Sequence, residues 1–92
     1  MVRRVEISRR AEKQLRKVAR HIRFNLMIWV TAVELDGLEV VRKVPGYHDE
    51  PLKGSRAGQR SIRLSRSYRA IYEVKGRAVQ FVSVEEVSKH DY

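Results

Sequence analysis

The chain has 92 residues, with 20 Lys and Arg against 11 Asp and Glu for a formal net charge of +9, and no cysteine. That length suits one domain, expected over 1–92, and leaves no room for a second. The charge favours a polyanionic partner, nucleic acid before a membrane face or an acidic protein, and the missing thiols exclude disulfides and thiolate metal sites.

The first residues alternate, with Val5 and Ile7 on one side and Arg4 and Glu6 on the other. This predicts a short strand over 2–7. Ser8 follows where a helix N-cap belongs. From Ala11 the apolar residues fall at 11, 15, 18, 22, 26, 29 and 33, in steps of three and four that make one helical stripe. So short a domain has to fold back on itself, so the stripe predicts a helical hairpin broken near 19–21. Gly37 ends the helical region as a glycine C′ residue, and 38–44 extends it by a turn or two. Trp29 lies on the stripe and is expected in the core. His21, beside the stripe, is expected to be structural.

Residues 45–58 read PGYHDEPLKGSRAG and hold both prolines and three of the five glycines, which predicts a loop. Strands are predicted at 59–65, 68–74 and 78–84, with Lys75-Gly76 as a tight turn. The second and third are apolar at nearly every position and are expected centrally in the sheet. Residues 85–92 read as a polar end segment. Short turns make antiparallel neighbours. The expected fold is α+β in two layers: a short N-terminal strand and a helical hairpin packed on an antiparallel sheet completed by a three-stranded meander. The other sheet face is left open. The longest apolar stretch, 26–33, is far too short to span a bilayer, and Met1-Val2-Arg3-Arg4 does not lead into a signal-like apolar run, so a cytoplasmic home and no membrane partner are expected.

The meander is rich in arginine. Arg63 is flanked by Arg60 and Arg66, with Arg69 close across the turn, and clustered guanidiniums suit bidentate phosphate contacts. Tyr68 and Tyr72 interleave with them and offer surfaces on which bases stack. His48 sits beside Asp49 and Glu50 in the loop, and His90 beside Asp91 and Tyr92 in the end segment. So few histidines and no cysteine make a metal site a poor reading, and no cofactor is expected. Metal-free RNA cleavage needs a base for a ribose 2′-OH, cations for the charged phosphorane and an acid for the leaving 5′-oxygen. His90, with Glu50 or His48, and the arginines supply all three types. Lys53 reaches toward the same region from the loop. The basic residues read as concentrated in strands and loops, and no helix-turn-helix pattern is present, which argues against major-groove docking.

The loop text PLKG, then GQRSIRLSRSYRAIY, a hydrophobic strand and the closing HDY resemble the RelE/ParE superfamily of bacterial toxins, more closely its RelE- and HigB-like ribonucleases. The resemblance covers the whole chain in order and length. It implies a toxin of a type II toxin–antitoxin pair that cuts messenger RNA in the ribosomal A site without a metal and leaves a 2′,3′-cyclic phosphate. It also implies a cognate antitoxin that covers the basic surface in a heteromeric complex. In that likeness Lys53 matches a loop lysine, Arg63 a basic position on the first meander strand, and Arg69 the arginine credited with phosphate stabilisation. His90, Asp91 and Tyr92 match the tail that holds acid–base and stacking residues. HigB-like members often carry a histidine just before PLKG; here Glu50 stands there, with His48 two residues earlier. The alternative within the superfamily is a ParE-like inhibitor of DNA gyrase, which has no catalytic residues and no need of His90 or Lys53.

Overall fold

The computed structural model describes residues 1–90. In chain order it has β1 (Val5–Ile7), α1 (Arg9–Leu15), α2 (Arg20–Asp36), α3 (Leu38–Val41), β2 (Glu50–Pro51), β3 (Arg60–Arg63), β4 (Tyr68–Lys75) and β5 (Phe81–Lys89), with single 3₁₀ turns at Pro45–Tyr47 and Gly54–Arg56. The strands form one sheet in the order β1-β5-β4-β3-β2. All pairs are antiparallel except β1, which runs parallel to β5.

The helical stripe and one sheet face meet in a single core. Ile22, Leu26, Trp29 and Val33 of α2 pack with Leu38 and Val41 of α3 and with Ile62, Ala70, Tyr72, Val82 and Val84 of the sheet. Trp29 is fully buried, with its ring centroid 5.1 Å from that of Tyr72. His21 is exposed on α2, so it has no packing role. The helical break falls at 16–19, earlier than the apolar spacing indicates. There the Arg23 guanidinium donates to the carbonyls of Leu15 and Val18 at 3.3 and 2.8 Å, which satisfies acceptors left over at the end of α1.

The end of the meander departs most from expectation. The tight turn at Lys75-Gly76 is a wider one spanning 76–80, entered through Gly76 at φ +95°, where a Cβ would lie 2.2 Å from the Val79 carbonyl oxygen. The last strand therefore starts at Phe81 rather than 78. It then continues to Lys89, through most of the segment that reads as polar. A β-bulge explains the misreading. Ile71 pairs with Glu86 but Tyr72 pairs with Val84, so Glu85 is an extra residue. Val82 and Val84 face the core before the bulge and Val87 after it. The shift breaks the two-residue period and turns Glu86 and Ser88 toward the open face.

Helix α1 holds this bulge. The Ser8 hydroxyl accepts from the Ala11 amide at 3.0 Å as the N-cap and donates to the Glu85 carbonyl at 3.2 Å. The Gln14 side-chain oxygen accepts from the Val87 amide at 2.6 Å. Gln14→Ala is expected to cost about 1–3 kcal/mol, because it leaves a buried strand N–H unpaired. Urea unfolding checks this, and a midpoint unchanged from the parent would show that the bulge does not depend on α1.

Candidate active site

The pleat sorts the meander arginines. In the β3–β4 ladder Ser61 lies opposite Ile71, and Arg63 opposite Arg69. These four sit on the face away from the helices, whereas Ile62, Ala70 and Tyr72 point into the core. Two guanidiniums directly across a ladder repel each other. Each is met by a loop residue. Arg69 Nη1 donates to Glu50 Oε1 at 3.1 Å and to the Ser61 hydroxyl at 2.8 Å. Arg63 Nη1 lies 3.3 Å from His48 Nε2. Arginine can only donate, so a hydrogen bond here requires Nε2 as the acceptor.

The loop 48–50 reaches the arginines because it alternates sharply. His48 adopts the left-handed conformation at φ 46°, unusual for a residue with a Cβ. Asp49 then turns inward. Its side chain is fully buried and accepts from Arg60 Nε at 2.6 Å and from the Tyr72 hydroxyl at 2.5 Å. Burial and the adjacent Asp49 carboxylate push the Tyr72 hydroxyl well above the usual tyrosine range, so it remains a donor. Glu50 points out again, on β2 opposite Ser61.

His90 follows β5 directly. Its amide donates to the Ser67 carbonyl at 2.6 Å, which ties it to the turn carrying Ser65 and Arg66. A hollow of about 210 Å³ results, lined by His48, Arg63, Ser65, Arg66, Arg69 and His90. It is small for a drug-sized ligand, whose sites start at about 300 Å³, and suits a single phosphate group. Among the described residues, three arginines, two histidines and one serine line it. A neighbouring hollow of about 410 Å³ shares Arg69 and His90 and is lined also by Ser61, Ile71 and Glu86. A further hollow of about 360 Å³ between α2 and the Pro45–Tyr47 turn is largely apolar and touches only Arg63 of these residues.

The structure thus brings together His48, Arg63, Arg66, Arg69 and His90, with Glu50 on the flank of Arg69. Lys53 is exposed on its loop and lines neither shared hollow. Arg60 turns to the core side, held by Asp49, and Tyr68 packs half-buried against the core. Tyr72 is a core residue and offers no stacking surface, because its side chain fills the space against Trp29. Asp91 and Tyr92 lie outside the described residues.

Two residues that line the neighbouring hollow escape a reading of the sequence. Ser61 looks like an ordinary strand serine, and only the register places it under Arg69. Glu86 is hidden by the bulge. Its carboxylate is mostly buried and accepts from Arg56 Nη2 at 2.6 Å, with Arg10 Nη2 at 3.4 Å. Burial alone would raise it, but Arg56, Ser88 and Arg10 outweigh burial and hold it below the usual carboxylate range.

Neither protein-family models nor curated proteins match the sequence. Solved structures do match the fold. An archaeal RelE, solved in a RelE–RelB complex from Pyrococcus horikoshii OT3, superposes with a TM-score of 0.71 at 20% identity, over 97% of this chain and 96% of that one. YafQ from E. coli gives a TM-score of 0.70 at 20% identity, over 96% and 93%. A YoeB/ParE toxin from Agrobacterium tumefaciens gives 0.65 at 22% identity, over 96% and 99%. Coverage is nearly complete on both sides in each case, so the chain has the fold of the RelE/ParE toxins.

Proposed function

We propose that this chain is the toxin of a toxin–antitoxin pair and cuts RNA at a phosphodiester linkage, with messenger RNA on the ribosome as its substrate. The observation that carries this is the hollow in which Arg63, Arg66 and Arg69 converge with His48 and His90. Strand order supports an in-line reaction. Glu50 and His48 approach from the β2–β3 side, His90 from the end of β5, and Arg69 on β4 lies between. Base and acid therefore flank a phosphate held by Arg69 and Arg63. A group on one flank takes the proton of the ribose 2′-OH, whose oxygen bonds to phosphorus. The bond from phosphorus to the 5′-oxygen breaks, and the group on the other flank protonates that oxygen. The guanidiniums stabilise the charge that builds on the phosphorane oxygens. The products are a 2′,3′-cyclic phosphate and a free 5′-hydroxyl.

The partner is a cognate antitoxin. YafQ of E. coli and RelBE2 of Mycobacterium tuberculosis, of like fold, have been solved as toxin–antitoxin complexes. In this chain Phe24, Met27, Ile28 and Leu35 stand exposed along α2, an apolar surface suited to a protein partner.

Expressing the chain without an antitoxin is expected to arrest growth and to produce fragments of translated messages that end in 2′,3′-cyclic phosphate. End-mapping of cellular RNA checks this. Arrest with intact messages and accumulating gyrase-bound DNA breaks would assign the chain to the gyrase-inhibiting branch instead.

A further inference from the structure

The positive charge is not confined to the meander. Residues 3–23 hold nine Lys and Arg against two Glu, whereas 24–41 hold no Lys or Arg and three acids, Glu34, Asp36 and Glu39. The expectation that cations concentrate in strands and loops therefore fails for the first quarter of the chain. Charge is polarised along the helical layer, while a merely solvated surface mixes both signs.

We propose that Arg10, Lys13, Arg16 and Lys17, on α1 and the turn after it, form a second phosphate-binding surface that holds the RNA backbone beyond the cleaved linkage. This rests on the ribonuclease reading above. All four side chains are exposed. Lys13, Arg16 and Lys17 have no acidic partner among the described residues. Arg10 fixes where this surface begins. Its guanidinium pairs with Glu86, which lines the hollow that Arg69 and His90 also line. Helix α1 packs on β5, so the surface starts at the rim of the site and runs away from it. Lys13 lies three residues beyond Arg10, on the same flank of the helix. The turn that carries Arg16 and Lys17 is held by Arg23, so these cations are presented from fixed backbone.

Neutralising the α1 dipole does not account for the whole set. Lys13, Arg16 and Lys17 do complement the end of α1, but Arg10 stands in its first turn, where a cation opposes the dipole. Phosphate recognition through scattered cations on a helix carries no base information. The surface therefore adds affinity for longer RNA without adding sequence preference.

The test compares the full chain with a Lys13→Glu, Arg16→Glu, Lys17→Glu variant and with the corresponding triple Gln variant, each checked for fold by circular dichroism and thermal midpoint. The probes are 2′-O-methyl RNAs of about five and about twenty nucleotides, near the lower end of the range for a single-strand site and beyond its upper end, which lack the attacking hydroxyl. For the long RNA, both variants are expected to bind about tenfold or more weakly, and the slope of log affinity against log salt to fall by about 2, at about 0.7 per lost phosphate contact. The short RNA is expected to bind the variants as it binds the parent. Unchanged affinity and slope for the long RNA would overturn the proposal and leave the ribonuclease reading standing. Parent binding to poly-glutamate in preference to long RNA, lost in the variants, would assign the surface to an acidic protein and overturn the proposal equally. Failure of the parent to bind either RNA would remove the ribonuclease reading and this proposal with it.

Discussion

Arg69→Ala is expected to abolish growth arrest and to lower RNA cleavage by about 10²–10³-fold, the range for loss of one preorganised charge-stabilising group. The fold should survive. The Glu50 carboxylate that Arg69 meets is more than half exposed, and exposed ion pairs contribute at most about 1 kcal/mol. Ser61 loses a partner inside the sheet, which adds about 1–2 kcal/mol. Arg69 spends only Nη1 on Glu50 and Ser61, and among the described residues its other terminal nitrogen has no protein acceptor. One edge of the guanidinium is thus anchored while the other remains for a phosphate. A lysine cannot do both, so Arg69→Lys should recover little activity. His90→Ala should also remove cleavage, because it empties the β5 flank of its acid–base group while leaving Arg63 and Arg69 in place. The measurement is cleavage of a defined RNA by folded protein, beside RNA affinity. Arg69→Ala should weaken both, and His90→Ala mainly cleavage. Full activity in both variants would rule out this hollow as the reacting site.

The architecture was legible in the sequence wherever one period ran without interruption. The stripe from Ala11 to Val33 marked the helical layer and Trp29 as core. The alternation at Ile62 and Leu64 marked β3 and turned Arg63 outward. Legibility failed where backbone geometry changes the period. The bulge at Glu85 places two acids side by side and makes a buried strand look like a polar tail, so Glu86 and the true extent of β5 were lost. The parallel pairing of β1 with β5 joins residues far apart in the chain and has no local signature. The site shows the same division. Arg63 and Arg69 could be paired from hairpin alternation alone. His48, Asp49 and Glu50 read as one polar cluster, because nothing local reveals that His48 turns left-handed and sends its neighbour inward. Tyr72 misled for a related reason. Its parity with Tyr68 and Ala70 put it in the core, and its nearness in sequence to Arg69 gave it the look of a base-stacking residue.

Asp49 gives the largest effect on stability. Asp49→Ala is expected to cost about 3–5 kcal/mol, the range for removing one partner of a buried ion pair. It leaves the half-buried Arg60 cation uncompensated and the buried Tyr72 hydroxyl without its acceptor. At about 4–8 °C per kcal/mol for a domain of this size, the thermal midpoint should drop by more than about 12 °C. Tyr72→Phe removes one hydrogen bond but keeps the ring against Trp29, so it should cost about 1.5–3 kcal/mol. A double-mutant cycle should show coupling between the two changes, because they share one interaction. The consequence for activity is separate. Asp49 sits between His48 and Glu50, so its inward anchor fixes the direction in which both neighbours leave the loop. Asp49→Asn, assayed well below its melting temperature, should lose cleavage even though the hollow's own side chains are untouched. Tyr72→Phe leaves the Arg60 bond to hold the loop and should retain most activity. Equal activity per folded molecule in Asp49→Asn and the parent would show that the loop is set by the left-handed turn at His48 alone, and that Asp49 serves the core and not the site.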